Sequence, residues 1–279
     1  MVDVLVKKRI YATFRIEGVH PDTRTPVALR AHVLDRDTGK VISEAGPGRE
    51  FRLGPGRYTI ALWQHGYRLA KRNVQVTKEE TFDWQIALKE APRLTGKVVH
   101  AGGQPLHERV FLWVHYNDAP YLERQPGTQP KEDGTFALSV DDGLAPLLCV
   151  RLPQNTIHLT PIAPADVQAG VSVRLDPKTV TGDISIESGV GDGKRVLLMW
   201  TRKAFPRFIL AGHAVEDARY EQTLEPGTYV RYITNGIHAV RLDEVEVTDK
   251  PTQTLPPVHV TETQWKEQKK PCAEFFDRL

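Results

Sequence analysis

Cysteine and methionine are nearly missing from this sequence, with two of each. Cys149 and Cys272 cannot make the disulfide framework that holds small secreted domains together. Cys149 lies in Leu147-Leu-Cys-Val150, a core-like strand in which a thiol is inert, whereas Cys272 reads as exposed. No apolar run approaches the ~18 residues of a membrane-spanning helix. Neither sign of charge dominates: 37 Lys and Arg against 35 Asp and Glu leave a net charge of +2. No overall basic excess therefore points to nucleic acid. Asn73, Asn117, Asn155 and Asn235 are the only asparagines, and none stands in an Asn-x-Ser/Thr acceptor. Helical spacing is missing from every long segment. Charges follow the short apolar stretch of Met1 to Ile10 instead of preceding a long one, so it is no signal peptide. As written the sequence predicts a cytoplasmic location, or an extracellular or periplasmic one if a leader was removed.

What fills the 279 residues is alternation with period two. Phe82, Trp84, Ile86 and Leu88 alternate with Asp83, Gln85 and Ala87; Val27, Leu29, Ala31 and Val33 alternate with Ala28, Arg30 and His32. Such runs are half-buried strands, because successive side chains point to opposite faces. The Phe82–Leu88 face predicts a core in which Trp84 is buried. Turn signals such as Asp37-Thr-Gly39, Gly54-Pro-Gly56, Asp133-Gly134 and Asn235-Gly236 separate the strands. The chain also repeats itself. Thr95 to Tyr116 aligns without a gap on Thr181 to Arg202 at an offset of 86 residues, matching Thr-Gly with Thr-Gly and Arg109-Val110 with Arg195-Val196. Gly56 to Thr77 aligns on Gly227 to Thr248 at an offset of 171, close to twice that. Three copies of one unit of roughly 85 residues account for nearly the whole chain.

Leu53-Gly-Pro-Gly-Arg-Tyr-Thr-Ile, His65-Gly-Tyr67 and Val74-Gln-Val-Thr77 together resemble the PEGA domain pattern. Leu94-Thr-Gly-Lys-Val-Val, Gly103-Gln-Pro-Leu106 and Asp133-Gly-Thr-Phe-Ala-Leu138 resemble the carboxypeptidase regulatory-like domain. Both families are similar to the transthyretin-like (prealbumin-like) sandwich. The resemblance implies a non-catalytic module, often bacterial, used for adhesion, as a spacer, or as an accessory to a larger assembly. The expected fold is all-β, three tandem antiparallel β-sandwich domains (transthyretin-like or Ig-like) in a semi-rigid rod. The expected boundaries are 1–91, PEGA-like; 92–178, carboxypeptidase regulatory-like; 179–260, a diverged repeat; and 261–279, a C-terminal tail that is either packed or a docking segment. No helix longer than two turns is expected before residue 261.

The search for chemistry returns little. Gly189-Val-Gly-Asp-Gly-Lys-Arg195 has the wrong spacing for a phosphate loop and a strand after it, so no helix dipole would face a phosphate. Asp35-Arg-Asp-Thr-Gly39 lacks the later acidic residue of a calcium loop and reads as a hairpin turn. His100, His107 and His115 share one copy but form no zinc spacing. A Lys97–Asn155 cross-link is conceivable in the same copy. No Gly-x-Ser-x-Gly exists. The sequence therefore predicts no enzyme, no metal and no cofactor. What remains is binding. Residues 1–90 carry a net +5, with Arg68, Lys71 and Arg72 beside Tyr67 and near Trp63, a mixture that can take acidic peptides, phosphate or sugars. The irregular stretch Asn117–Glu132 carries Tyr121 and Arg124, residue types that anchor interfaces. Trp113 alternates with the Leu112–Val114 face and reads as outward. The expected partner is another protein that docks on this surface and loop. The alternative is a carbohydrate, which requires Trp63 or Trp113 to form an exposed flat platform.

Overall fold

The alternating runs fold as strands. The computed structural model describes residues 11–119, 121–122, 126–152, 156–216 and 218–276; it is all-β, about 55% strand and 6% helix. The first stretch forms β1 (Ala12–Val19), β2 (Pro26–Val27), β3 (Arg30–Asp35), β4 (Val41–Ala45), β5 (Phe51–Leu53), β6 (Gly56–Trp63), β7 (Ala70–Val76) and β8 (Glu80–Ala87). β4-β3-β6-β7 make one antiparallel sheet; β1 with β2, β5 and the parallel β8 makes the other. Their facing sides share a core of Phe14, Leu29, Val33, Ile60, Leu62 and Ile86, which makes the pair a sandwich.

The middle stretch repeats the plan with β9 (Arg93–His100), β10 (Phe111–Tyr116), β11 (Thr135–Ser139), β12 (Pro146–Arg151), β13 (Ile157–Pro161), the one-turn helix α1 (Pro164–Ala169) and β14 (Val171–Leu175). Its sheets are β10-β12-β13 and β11-β9-β14. The last stretch has β15 (Lys178–Ile186), β16 (Leu197–Arg202), β17 (Phe205–Ala214), β18 (Arg219–Leu224), β19 (Gly227–Thr234), β20 (His238–Val247), β21 (Thr252–Thr254) and β22 (Val258–Val260), then α2 (Glu262–Gln268), β23 (Lys270–Pro271) and α3 (Cys272–Phe275). Among the described residues every ladder and bridge stays inside 12–90, 93–175 or 178–271.

The repeated Thr-Gly has a steric cause. At Gly96 the ring of Phe136 on the paired strand lies across the backbone, and a Cβ would sit 2.6 Å from it; at Gly182 the Tyr220 hydroxyl would be 2.3 Å away. In the first stretch Phe14 takes that place and stacks on Phe51 at 5.2 Å. The tyrosine of the Gly-x-Tyr turn recurs with its bond: Tyr58 OH donates to the Gly54 carbonyl at 3.0 Å and Tyr229 OH to the Glu225 carbonyl at 2.8 Å.

Two expectations need correction. The Phe82–Leu88 face points inward as predicted, but only Ile86 and Leu88 are buried, while Phe82 and Trp84 are half-buried. The sandwich stays open beside Trp84, where Arg72 covers its ring at 5.1 Å. Trp84→Ala is therefore expected to cost about 1–2 kcal/mol in urea unfolding, below the ~3–5 kcal/mol of a closed site; a loss near ~4 kcal/mol would contradict this. The end of the chain is part of the last core. Thr261 caps α2, its hydroxyl accepting from Gln264 N at 3.0 Å. Trp265 is fully buried, and Cys272 and Phe276 pack on Met199 and Tyr232. Cys272 is thus buried rather than exposed, with its sulfur 3.2 Å from the Thr234 hydroxyl. Among the described residues this apolar outer sheet face is covered by the returning tail.

Candidate functional site

The residues proposed as a binding surface meet mostly at two junctions. Trp63, at the end of β6, is 7% exposed and packs into the middle core with Tyr116, Leu122 and Leu138. His32 stacks on it at 6.2 Å and Tyr121 leans on His32 at 5.6 Å. Just beyond, the Leu69 amide donates to Asp141 Oδ2 at 2.6 Å and Arg68 pairs with Asp142 at 2.9 Å. Asp141 N donates in turn to the Tyr116 hydroxyl at 2.8 Å, and burial pushes that phenol up to about 12. Trp63, Tyr67, Arg68 and Tyr121 therefore lie along this joint, where Trp63 and Arg68 reach directly across to the middle stretch. Lys71 and Arg72 stay exposed on β7. Arg124 lies outside the described residues.

The Asn117–Glu132 stretch belongs to the same joint. Ala119 and Leu122 are buried, and Thr128 and Leu112 exchange both backbone hydrogen bonds at 2.8 Å. Exchanging residues 118–131 for a Gly-Ser linker removes two buried apolar side chains and a ladder rung, so a loss of about 2–4 kcal/mol is expected, read as a clear drop in melting temperature. An unchanged midpoint would show the stretch to be dispensable.

The second junction uses both faces of β10. Leu112, Val114 and Tyr116 enter the middle core, whereas Trp113, with Cys149 and Leu159, joins the core of the last stretch. His115 meets Phe208 edge-on at 4.7 Å. Trp113 does alternate outward from its own sandwich, but the next one covers it to 9% exposure. Polar bonds close the joint: Thr156 Oγ1 donates to the Thr223 carbonyl at 2.5 Å, Gln222 Nε2 donates to Thr156 Oγ1 at 2.8 Å, and Asp176 N donates to Glu225 at 3.0 Å. Burial holds the Glu225 carboxyl above its ordinary range.

His158 on β13 is pushed down to about 4, first by burial and then by Arg202. A histidine depressed in the folded state is neutral there and takes up its proton on unfolding. Its contribution is whole above the ordinary 6.5 and is lost as pH falls toward about 4. Denaturant unfolding between those values should show stability falling with pH, and His158→Gln should flatten that slope; an equal slope in both chains would remove His158 as its source.

Of the five tryptophans, Trp63, Trp113, Trp200 and Trp265 are buried and Trp84 is half-buried, so neither Trp63 nor Trp113 forms the exposed flat platform that a sugar would need. Among the described residues no group of three or more His, Cys, Asp or Glu is placed to hold a metal ion. His100 and His107 line one cleft while His115 faces Phe208. Asp35 is a turn residue whose Oδ1 accepts from the Asp37 and Thr38 amides, and Asn155 lies outside the described residues. No described helix is long and apolar enough to cross a membrane.

An open sandwich leaves strand edges with unpaired backbone groups, and the alternation pattern does not say which strand carries one. β8 runs along one edge of β1 for its whole length, from Ala12 to Val19. On the other edge β5 covers residues 12–14 and β2 covers 18–19. Among the described residues nothing pairs with Arg15, Ile16 or Glu17 there. The opening leads to a groove of about 900 Å³ whose apolar lining is Ile16, Val27, Leu29 and Trp84, with Arg15 and Glu50 paired at its rim at 3.0 Å.

No family model matches the chain and no curated protein matches it. Solved structures align over most of it at low similarity. The Bacillus anthracis TIE protein is 11% identical with a TM-score of 0.23, over 91% of this chain and 50% of its own, so the chain spans half of that structure. BcpA, the major pilin subunit of Bacillus cereus, is 10% identical with a TM-score of 0.24, over 91% and 100%. A putative carbohydrate binding protein from Bacteroides uniformis is 11% identical with a TM-score of 0.22, over 54% and 99%. At such scores these alignments carry no argument about fold or role.

Proposed function

We propose that the chain is a non-catalytic structural and protein-interaction module, three β-sandwich units divided near residues 91 and 178 and locked into one semi-rigid body. The observation that carries this reading is the use of the large aromatic side chains. Trp63 and Trp113 are spent on the junctions, where a substrate site would have left them facing a cleft. A unit of roughly 85 residues folds only marginally by itself, and neighbours that share cores supply the missing burial. The pieces of a scaffold need such fixed joints, so that surfaces on separate units keep their spacing. The reading is tested with spin labels on exposed positions of the first and last units, Ile42→Cys and Ile237→Cys. A narrow distance distribution is expected, and a broad one typical of flexible linkers would overturn it. Scanning calorimetry gives the second arm: overlapping, coupled transitions are expected, and three transitions that move independently on mutation would count against it.

A further inference from the structure

One position on the outward sheet face has three versions. Phe14, Gly96 and Gly182 lie opposite Phe51, Phe136 and Tyr220, so the next residues, Arg15, Lys97 and Asp183, correspond. In the first unit Arg15 stands between two carboxylates, Glu50 at 3.0 Å and Asp83 at 3.8 Å. In the last, Arg219 on the paired strand matches Asp183 at 3.2 Å. In the middle unit Lys97 has hydroxyls on both sides, Thr135 on β11 and Ser172 on β14. More cations surround it. Arg93 shares the exposed face of β9, Arg174 follows Ser172 on β14, and the Lys131 amide donates to the Thr135 carbonyl at 2.8 Å. Residues 91–178 hold eight basic and nine acidic side chains, yet these four cations gather on one face. Among the described residues none of them is in an ion pair. The acid at this turn, Asp133, is drawn onto its own loop, where Oδ1 accepts from the Thr135 amide at 2.9 Å and hydroxyl at 2.7 Å. A shallow groove of about 680 Å³ results, lined by Arg93, Lys97, Lys131, Thr95, Thr135 and Ser172 and by no described carboxylate. Like charges on neighbouring strand positions repel, so the face calls for an anion.

We propose that this face of the middle unit docks an acidic, extended segment of another protein. The inference rests on reading the chain as a protein-interaction module and adds the partner's chemistry. Arg93, Thr95 and Lys97 recur at period two, which sets the two cations about 13 Å apart along β9. An extended peptide laid along β9 repeats at the same interval, so carboxylates four residues apart meet Arg93 and Lys97 together. Lys131 and Arg174 widen the positive field around Lys97 and steer the anion in. The hydroxyls of Thr95, Thr135 and Ser172 supply donors for its remaining oxygens. Phe136, the ring that lines the groove, is buried, which leaves a sugar nothing to stack on.

The test titrates the full chain into a short fluorescent peptide of alternating Glu and Thr and follows anisotropy. Binding that weakens as salt is raised is expected, with none for the matching peptide of Gln and Thr. Lys97→Gln/Lys131→Gln should weaken it about tenfold. Ser172→Asp should do the same, because it gives Lys97 the neighbour that Asp83 is to Arg15. These positions are all exposed, so the melting temperatures should match the parent's. Arg219→Gln removes a cation from the last unit and should leave the affinity unchanged. Failure of the peptide to bind, or equal affinity in all the chains, would overturn the proposal. Tighter binding of a sulfated oligosaccharide, lost in Lys97→Gln/Lys131→Gln, would overturn it as well, because the ligand would then be a polysaccharide. A narrow spin-label distance between the first and last units without peptide binding would leave the rigid module standing and remove this partner alone.

Discussion

Asp243→Ala is expected to cost about 3–5 kcal/mol in denaturant unfolding, because it strands a buried cation. Arg231 on β19 is 1% exposed and lies over Trp200 at 5.8 Å. Its Nε donates to Asp243 Oδ1 at 2.7 Å and Nη2 to Oδ2 at 2.5 Å; Nη1 donates to the Tyr220 hydroxyl and the Pro256 carbonyl, both at 2.9 Å. Among the described residues its charge is balanced by one carboxylate that is itself half in water. Taking that carboxylate away leaves a guanidinium in the core of the last unit with only neutral partners. Arg231→Met in the same background removes the stranded charge and should restore much of the loss. A single substitution costing less than about 1 kcal/mol, or a double variant no better than the single, would show that the pair is not what holds this site.

Trp113→Ala is expected to cost a similar ~3–5 kcal/mol, but with a different signature. Its ring belongs to the core of the neighbouring unit. Truncation should therefore loosen the joint more than either sandwich, and the melt should split so that the last unit unfolds apart from the middle one. Leu112→Ala is the control, since Leu112 enters the middle core alone; it should lower stability with no such split. A Trp113→Ala chain that still melts in one coupled step would show that the polar bonds around Thr156 and Glu225 hold the joint unaided.

The strands and their repetition were legible because they follow from local causes: alternation, Gly turns, and aromatic rings lying across Gly96 and Gly182. The joints were hidden because they have no period. Trp113 was correctly read as pointing away from its own sandwich, yet outward from one sheet is inward to the next. A signal was present in Phe111-Leu-Trp-Val-His-Tyr116 and Leu147-Leu-Cys-Val150, which are apolar on both faces, as befits strands covered on both sides. Weighing that would also have moved Trp63, at the end of Ile60-Ala-Leu-Trp63, from surface to joint. The tail was misjudged at Cys272 because a few residues around a proline show no stripe long enough to read. The gap beside Ile16 left no mark at all, since it arises from where β5 and β2 stop.

In each stretch the first long strand lies beside a late strand and runs the same way. β1 pairs with β8 over eight residues, β9 with β14 over five, and β15 with β21 and β22 over three each. A pull on the two ends of such a unit draws these neighbours in opposite directions along their common axis. Parallel ladders carry evenly spaced bonds, so the load falls on all of them together in shear and no bond opens ahead of the rest. A hairpin placed there would unzip rung by rung under a far smaller force. A force applied across the first stretch would meet eight paired residues in shear, and one across the middle stretch only five.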